Sequence, residues 1–187
     1  MLRIALTGNI ASGKSTVQKI LEEKGFKVLD TDKAAHEILQ SSDEIRIAFT
    51  DCLENGEISR EKLGKLVFNN IESKNKLESI IHPEIRNRIK DFFKKNQNEK
   101  VCFVAIPLLF EADMTDLFDK SLLIYTDDKI REERLISRNH YTLQYAHLRM
   151  NAQISQEKKK DLCDYTIFNN GNLNELKDAV DDFIAKI

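Results

Sequence analysis

A stretch near the N-terminus has the residue types needed to bind a polyphosphate. It satisfies the pattern G-x-x-x-x-G-K-[ST] with Gly8, Asn9, Ile10, Ala11, Ser12, Gly13, Lys14, Ser15 and Thr16. The backbone N–H groups of such a loop, and the N-terminus of the helix after it, form a concave anion site. Lys14 can reach the β- and γ-phosphates of a nucleotide, and the Ser15 hydroxyl can bind Mg²⁺. The alternative is a glycine-rich turn with a solvated lysine, but chance gives this pattern only about once in a hundred such chains.

Two carboxylates close the second predicted strand, in Leu29-Asp30-Thr31-Asp32. Period-two spacing puts Asp30 and Asp32 on one face at the carboxyl end of the strand, where open α/β sheets bind ligands. An opening β-α-β unit would place this strand directly beside the phosphate loop. One carboxylate can then accept the proton of an acceptor hydroxyl during phosphoryl transfer. Equally, Asp32 can cap a helix that begins at Lys33.

Three arginines follow at helical spacing on a predicted helix over residues 128–137. Arg131, Arg134 and Arg138 form a stripe on one side of this helix. Guanidinium groups on a mobile segment can close over phosphates and stabilise the charge that develops during transfer. A solvated helix face paired with Glu132 and Glu133 is the competing interpretation.

A parallel sheet is needed to position these groups, and five apolar runs predict its strands. They cover residues 2–7, 26–30, 101–106, 121–125 and 165–168. The run 101–106 has no alternation, which is typical of a strand covered on both faces, so we expect it in the middle of the sheet. Helical patterns alternate with these strands at both ends of the chain, which indicates a three-layer α/β fold.

Two helical insertions separate the segments of this core. The first, about 34–97, includes His82-Pro83, which we interpret as a helix start with proline at the first position. The second, about 127–161, ends in Lys158-Lys159-Lys160, interpreted as a solvated helix end. The core then comprises about 1–33, 98–126 and 162–187 within a single domain, and substrate specificity is expected in the insertions.

Composition limits the classes of function. With 187 residues and 41% hydrophobic content, the chain can bury one sizeable core. The net charge of −2 provides no field to hold nucleic acid or an anionic membrane, so neither is expected as a partner. Three widely spaced cysteines indicate a reducing compartment. No apolar stretch is long enough to span a bilayer, and we expect a cytoplasmic enzyme.

Along nearly the whole chain, the order of these segments resembles the dephospho-CoA kinase family. The phosphate loop alone is generic, whereas its combination with Asp30-Thr31-Asp32, His82-Pro83 and Pro107-Leu108-Leu109-Phe110-Glu111 in this order is specific. The resemblance implies that ATP, with Mg²⁺, gives its γ-phosphoryl group to the ribose 3′-hydroxyl of dephospho-CoA, the last step of CoA synthesis. It also implies a P-loop NTPase fold with a five-stranded parallel sheet, a helical acceptor-binding insertion at 34–97 and a helical lid at 127–161.

The resemblance further implies roles for individual residues. Asp32 would orient or deprotonate the acceptor hydroxyl, while Lys14 and Arg138 would stabilise the transferring phosphoryl group. Asn170 and Gly171 would lie near the adenine of ATP. The acceptor site would be shaped by Asp32, His82, Arg86, Leu108, Leu109, Glu111 and Arg134.

The chain departs from the family pattern at several positions. Asn9 and Ala11 stand where the family loop usually has glycines, and Ala105 stands where an acidic residue is common. Another P-loop kinase of a nucleoside, a nucleotide or a small alcohol remains the alternative function. A nucleotide-dependent switch is disfavoured because the N-K-x-D pattern of GTPases is missing. The sequence does not predict an oligomeric state.

Overall fold

The computed structural model describes residues 1–187, which form two compact units. One unit consists of Met1–Asp30 and Phe92–Ile187, and the other is Thr31–Asp91. The strands of the first unit are β1 (Leu2–Thr7), β2 (Lys27–Asp30), β5 (Val101–Ala105), β6 (Lys120–Tyr125) and β7 (Tyr165–Phe168). Its helices are α1 (Lys14–Glu23), α6 (Asp128–Asn139), α7 (Leu143–Asn151), α8 (Gln156–Leu162) and α9 (Leu173–Ile184).

The five strands form one fully parallel sheet in the order β2-β5-β1-β6-β7. This confirms the predicted α/β class and all five strands. The prediction that the second strand lies directly beside the first is wrong, because β5 pairs with both β1 and β2. The unbroken apolar run of β5 fits this interior position, because side chains on both faces of the strand are buried. The run 101–106 was expected in the middle of the sheet; β5 is an interior strand, but the middle strand is β1, which runs straight into the phosphate loop.

The core of this unit lies between the sheet and the helices α1 and α9. Phe103 at the centre of β5 is fully buried, and its ring meets Phe26 edge-on. Helix α9 buries Leu176, Val180 and Phe183, the periodic apolar positions of an amphipathic helix. The packed core fixes the carboxyl edge of the sheet, where the loops after β1, β5, β6 and β7 emerge.

The second unit contains a small hairpin as well as helices. Its elements are α2 (Thr31–Ser41), α3 (Asp43–Ala48), β3 (Leu53–Glu54), β4 (Glu57–Ile58), α4 (Arg60–Asn69) and most of α5 (Ile71–Lys95). The insertion is mainly helical, as predicted, and the hairpin of β3 and β4 is an addition that the sequence analysis did not predict. Asn55 and Gly56 join these strands with positive φ values of 51° and 84°, as a tight hairpin turn requires.

Helix α5 runs through Pro83 without ending. The prediction that a helix starts at His82-Pro83 is therefore wrong. Proline removes the bond to the carbonyl one turn earlier, at Ser79. Both Ser79 and Pro83 are exposed, so water can solvate that carbonyl, while Ile85 and Ile89 keep the following turns buried. No helix of the chain combines the length and apolar character that a bilayer span requires.

Candidate functional site

The phosphate loop connects β1 to α1 and is closed by its own backbone. The N–H of Ser12 donates to the carbonyl of Asn9 at 3.0 Å, and those of Thr16 and Val17 donate to Gly13 at 3.0 and 3.2 Å. Gly13 has a φ of 93°, and a β-carbon there would lie 2.2 Å from Nδ2 of Asn169. Glycine is therefore required at this position by both backbone conformation and space.

Two buried side chains from neighbouring strand ends hold the loop from beneath. Oγ1 of Thr126 and Nδ2 of Asn169 each donate to the carbonyl of Ser12, both at 2.8 Å. Thr126 is completely buried and Asn169 is 6% exposed. Neither residue was predicted as a site residue. Their positions in the sequence could have indicated them, because each directly follows a parallel strand and so lies at the sheet edge that carries the loop.

The three arginines of α6 differ in burial and in the groups that they contact. Arg131 is buried, and its Nε donates to the carbonyl of Ile10 at 2.9 Å while its Nη1 pairs with Asp128 at 2.7 Å. Burial lowers the pKa of the Arg131 guanidinium, and Asp128 opposes this shift. Arg134 is half-buried and donates to the carbonyls of Ala11 and Asn169 at 3.2 and 3.1 Å. In this stripe only Arg138 is exposed.

A cavity of about 330 Å³ opens beside the phosphate loop. Its lining includes Ala11, Gly13, Thr16, Arg134, Arg138, Asn169 and Gly171. The structure thus brings the predicted phosphate loop, two of the predicted arginines and the segment after β7 to one cavity. The side chain of Asn170 accepts a hydrogen bond from the N–H of Asp127 at 2.9 Å, which ties this segment to the start of α6.

The segment after α7 also contacts the phosphate loop. Oε1 of Gln153 accepts the N–H of Ile10, and Nδ2 of Asn9 donates to the carbonyl of Ile154, both at 2.8 Å. The N–H of Ile154 donates to Glu111 at 3.1 Å. The region predicted as a lid is therefore bonded to the loop both at α6 and just after α7.

The turn after β5 is held by a buried ion pair. Lys159 is completely buried, and its Nζ lies 2.9 Å from Glu111 and 3.0 Å from the carbonyl of Pro107. The interpretation of the lysine run as a solvated helix end is wrong at this residue, although its two neighbours are exposed. Within the predicted acceptor segment, Leu108 is 42% exposed whereas Leu109 is fully buried.

The remaining predicted acceptor residues belong to the second unit. Helix α2 begins at Thr31, directly after β2, so Asp32 lies exposed in its first turn. The period-two interpretation of Asp30 and Asp32 is wrong, because the strand ends between them. The alternative prediction, a helix that begins at Lys33 and is capped by Asp32, is also wrong. The helix begins two residues earlier, at Thr31. His82 and Arg86 lie one turn apart on α5, on the same face and half-buried.

Ser15 is the predicted protein ligand for a divalent cation. Ser15 is exposed in the first turn of α1, and the chain has no group of three or more His, Cys, Asp or Glu residues placed to hold a metal. Mg²⁺ usually retains several waters and takes the rest of its ligands from substrate phosphates and a few protein oxygens. A single hydroxyl at a phosphate-binding loop fits this ion.

A parallel sheet, a phosphate loop after its middle strand and arginines at the adjoining cavity together define a P-loop kinase. A sequence model of the dephospho-CoA kinase family matches residues 2–175. The chain belongs to the dephospho-CoA kinase family, as its sequence resemblance indicated.

Individual relatives agree with this assignment over nearly their full length. The chain is 39% identical to a dephospho-CoA kinase from Oceanobacillus iheyensis, over 99% of this chain and 97% of the relative. It is 40% identical to one from Fusobacterium nucleatum, over 98% and 97%. The structure of dephospho-CoA kinase from Campylobacter jejuni superimposes with a TM-score of 0.76 and 32% identity, covering 98% of this chain and 96% of that one.

Proposed function

We propose that the chain transfers the γ-phosphoryl group of ATP to the ribose 3′-hydroxyl of dephospho-CoA, giving CoA and ADP. The observation that carries this proposal is the cavity of about 330 Å³ shared by the phosphate loop and the arginines of α6. Its volume is within the range of small-ligand sites. Family membership supports dephospho-CoA as the acceptor.

On the donor side, phosphoryl transfer mainly needs positioning and charge stabilisation. The loop N–H groups and the N-terminus of α1 bind the phosphates of ATP. Lys14, the first residue of α1, and Arg138, an exposed side chain at the cavity, stabilise the charge on the transferring group. Gly171 belongs to the wall that receives the adenine, and Asn170 holds the segment carrying that wall.

On the acceptor side, we assign substrate recognition to the second unit. The exposed Asp32 carboxylate orients the ribose hydroxyl and accepts its proton as the oxygen attacks the γ-phosphorus. His82 and Arg86 present a basic face of α5 to the acceptor. Leu108, Leu109, Glu111 and Arg134 are further candidates for acceptor recognition. Leu108 is exposed, and Leu109 and Glu111 hold the shape of its turn, while Arg134 carries positive charge.

On the donor side, Ser15 would hold Mg²⁺ as its protein ligand. When bound, the ion neutralises charge on the β- and γ-phosphates of ATP. The 127–161 segment serves as a lid that keeps water from the γ-phosphate. Within this segment Arg131, Arg134 and Gln153 are bonded to the phosphate loop, so we assign the closing movement to the residues between Arg134 and Gln153.

The Asp32→Asn variant tests the residue assignment. We expect kcat to fall by about a hundredfold or more, the usual contribution of a general base, with unchanged affinity for ATP. Asp43→Asn makes the same chemical change in the first turn of α3 of the same unit and should leave kcat unchanged. Equal turnover of Asp32→Asn and the unmodified chain would reject Asp32 as the base.

A further inference from the structure

Ala11 has a backbone conformation that alanine rarely adopts. Its φ is 63°, in the left-handed region that is disfavoured for residues with a β-carbon. Such residues persist where the surrounding structure determines their conformation. Ala11 also lies in the wall of the nucleotide cavity, so its conformation affects the site directly.

Side chains from outside the loop fix the peptide groups on both sides of Ala11. Nε of Arg131 donates to the carbonyl of Ile10 at 2.9 Å, and Nη1 of Arg134 donates to the carbonyl of Ala11 at 3.2 Å. Gln153 accepts the N–H of Ile10 at 2.8 Å. The backbone is thus held by three contacts within two residues.

The contact made by Arg131 determines where one N–H of the loop points. The Ile10 carbonyl and the Ala11 N–H belong to the same planar, trans peptide group, so they point in opposite directions. Holding the carbonyl against Arg131 therefore turns the Ala11 N–H away from Arg131. In a phosphate loop, the backbone N–H groups that point into the loop bind the nucleotide phosphates.

Arg131 is held firmly enough for this task. It is 2% exposed and does not line the nucleotide cavity, so its effect on the nucleotide is exerted through the loop. Asp128 pairs with its Nη1 at 2.7 Å and is itself held by Gln156 at 2.8 Å. Because the guanidinium is charged, its hydrogen bond to a carbonyl is stronger than one from a neutral donor.

We propose that Arg131 is a positioning residue for ATP, which holds the Ile10–Ala11 peptide in the phosphate-binding orientation and thereby offsets the cost of alanine at position 11. The inference rests on the proposed binding of ATP at this loop. It predicts that the importance of Arg131 depends on the residue at position 11. With glycine at position 11, the left-handed conformation carries no penalty, so the hydrogen bond from Arg131 to the Ile10 carbonyl matters less for ATP binding.

A double-mutant cycle of Arg131→Met and Ala11→Gly tests this coupling. The readouts are the Kd of a non-hydrolysable ATP analogue, by calorimetry, and the separate KM values of ATP and dephospho-CoA. We expect Arg131→Met alone to weaken analogue binding about tenfold, the loss of a charge-assisted hydrogen bond. In the Ala11→Gly background the loss should be about threefold or less. The KM of dephospho-CoA should not change.

Controls separate positioning from general stability. Lys129→Met, an exposed change on the same helix, should leave the Kd unchanged. Arg131→Lys keeps the charge but loses the planar guanidinium with its several N–H donors. If Arg131→Met does not fold, the double-mutant cycle is repeated with Arg131→Lys. Equal losses of affinity in the alanine and glycine backgrounds would overturn the inference alone. Failure of the unmodified chain to bind the analogue would overturn the proposed function and this inference with it.

Discussion

Replacing Lys159 by methionine should destabilise the chain more than any change at its exposed neighbours. Lys159 is completely buried and Glu111 is 20% exposed, with 2.9 Å between their charged atoms. Methionine leaves the Glu111 carboxylate without its cation and the Pro107 carbonyl without the Lys159 ammonium. The N–H of Ile154 still donates to Glu111.

The size of this effect follows from the burial of the pair. Removing one partner of a buried ion pair costs about 3–5 kcal/mol, and the partial exposure of Glu111 favours the lower end. A loss of about 3 kcal/mol is a large fraction of the total stability of a typical domain. At about 2–4 °C per kcal/mol for a chain of this size, Tm should fall by about 6–12 °C.

Chemical and thermal unfolding followed by circular dichroism measures this loss. Lys158→Met is the matched control, because Lys158 is exposed on the same helix. Its replacement should change the free energy of unfolding by no more than about 0.5 kcal/mol. In a Glu111→Gln background, Lys159→Met should lower the free energy of unfolding by less, because no carboxylate is left without its cation. Equal stability of the Lys158→Met and Lys159→Met variants would refute the reasoning.

Two further predictions concern titratable groups. The hydrogen bond from Arg3 lowers the pKa of Asp119 below its usual 3.8, so this pair stabilises the fold above that pH and loses its effect as the pH falls below it. Asp119→Asn should therefore lower Tm at neutral pH by more than at about pH 3, and a constant difference would contradict the assignment. Burial raises the pKa of Cys163 to about 11, so little reactive thiolate exists near pH 8. In a chain with the buried Cys52 and Cys102 replaced by alanine, Ellman's reagent should react with Cys163 far more slowly in the folded than in the unfolded state; equal rates would contradict this shift.

The phosphate loop and the strands were predictable because their signals are local. The pattern from Gly8 to Ser15 and the apolar runs identify these elements without knowledge of their neighbours. The order of the strands was not predictable in the same way, because β5 is inserted between β1 and β2 by pairing between distant segments. The hairpin at Asn55-Gly56 had a local signal that was overlooked.

Side-chain roles were harder to predict than elements. The environment of Lys159 depends on Glu111 and Pro107, which are far away in sequence, so a lysine run that appears solvated contains a buried residue. Arg131 and Arg138 have the same chemistry and helical spacing, yet one is buried against the loop and the other is exposed. Only the packing of α6 distinguishes them. The role of Asp32 stays a prediction, but its element was misassigned because the strand ends at Asp30.

The most direct test of the proposed function is phosphoryl transfer by the purified chain with a panel of acceptors. ADP release would be measured with ATP and Mg²⁺ in the presence of dephospho-CoA, nucleosides, nucleotides and simple alcohols, with the products identified by mass spectrometry. We predict rapid ADP release with dephospho-CoA and a product carrying one new phosphate on the ribose 3′-oxygen. Turnover with dephospho-CoA no greater than with ATP alone, together with turnover of another acceptor, would contradict the proposed function.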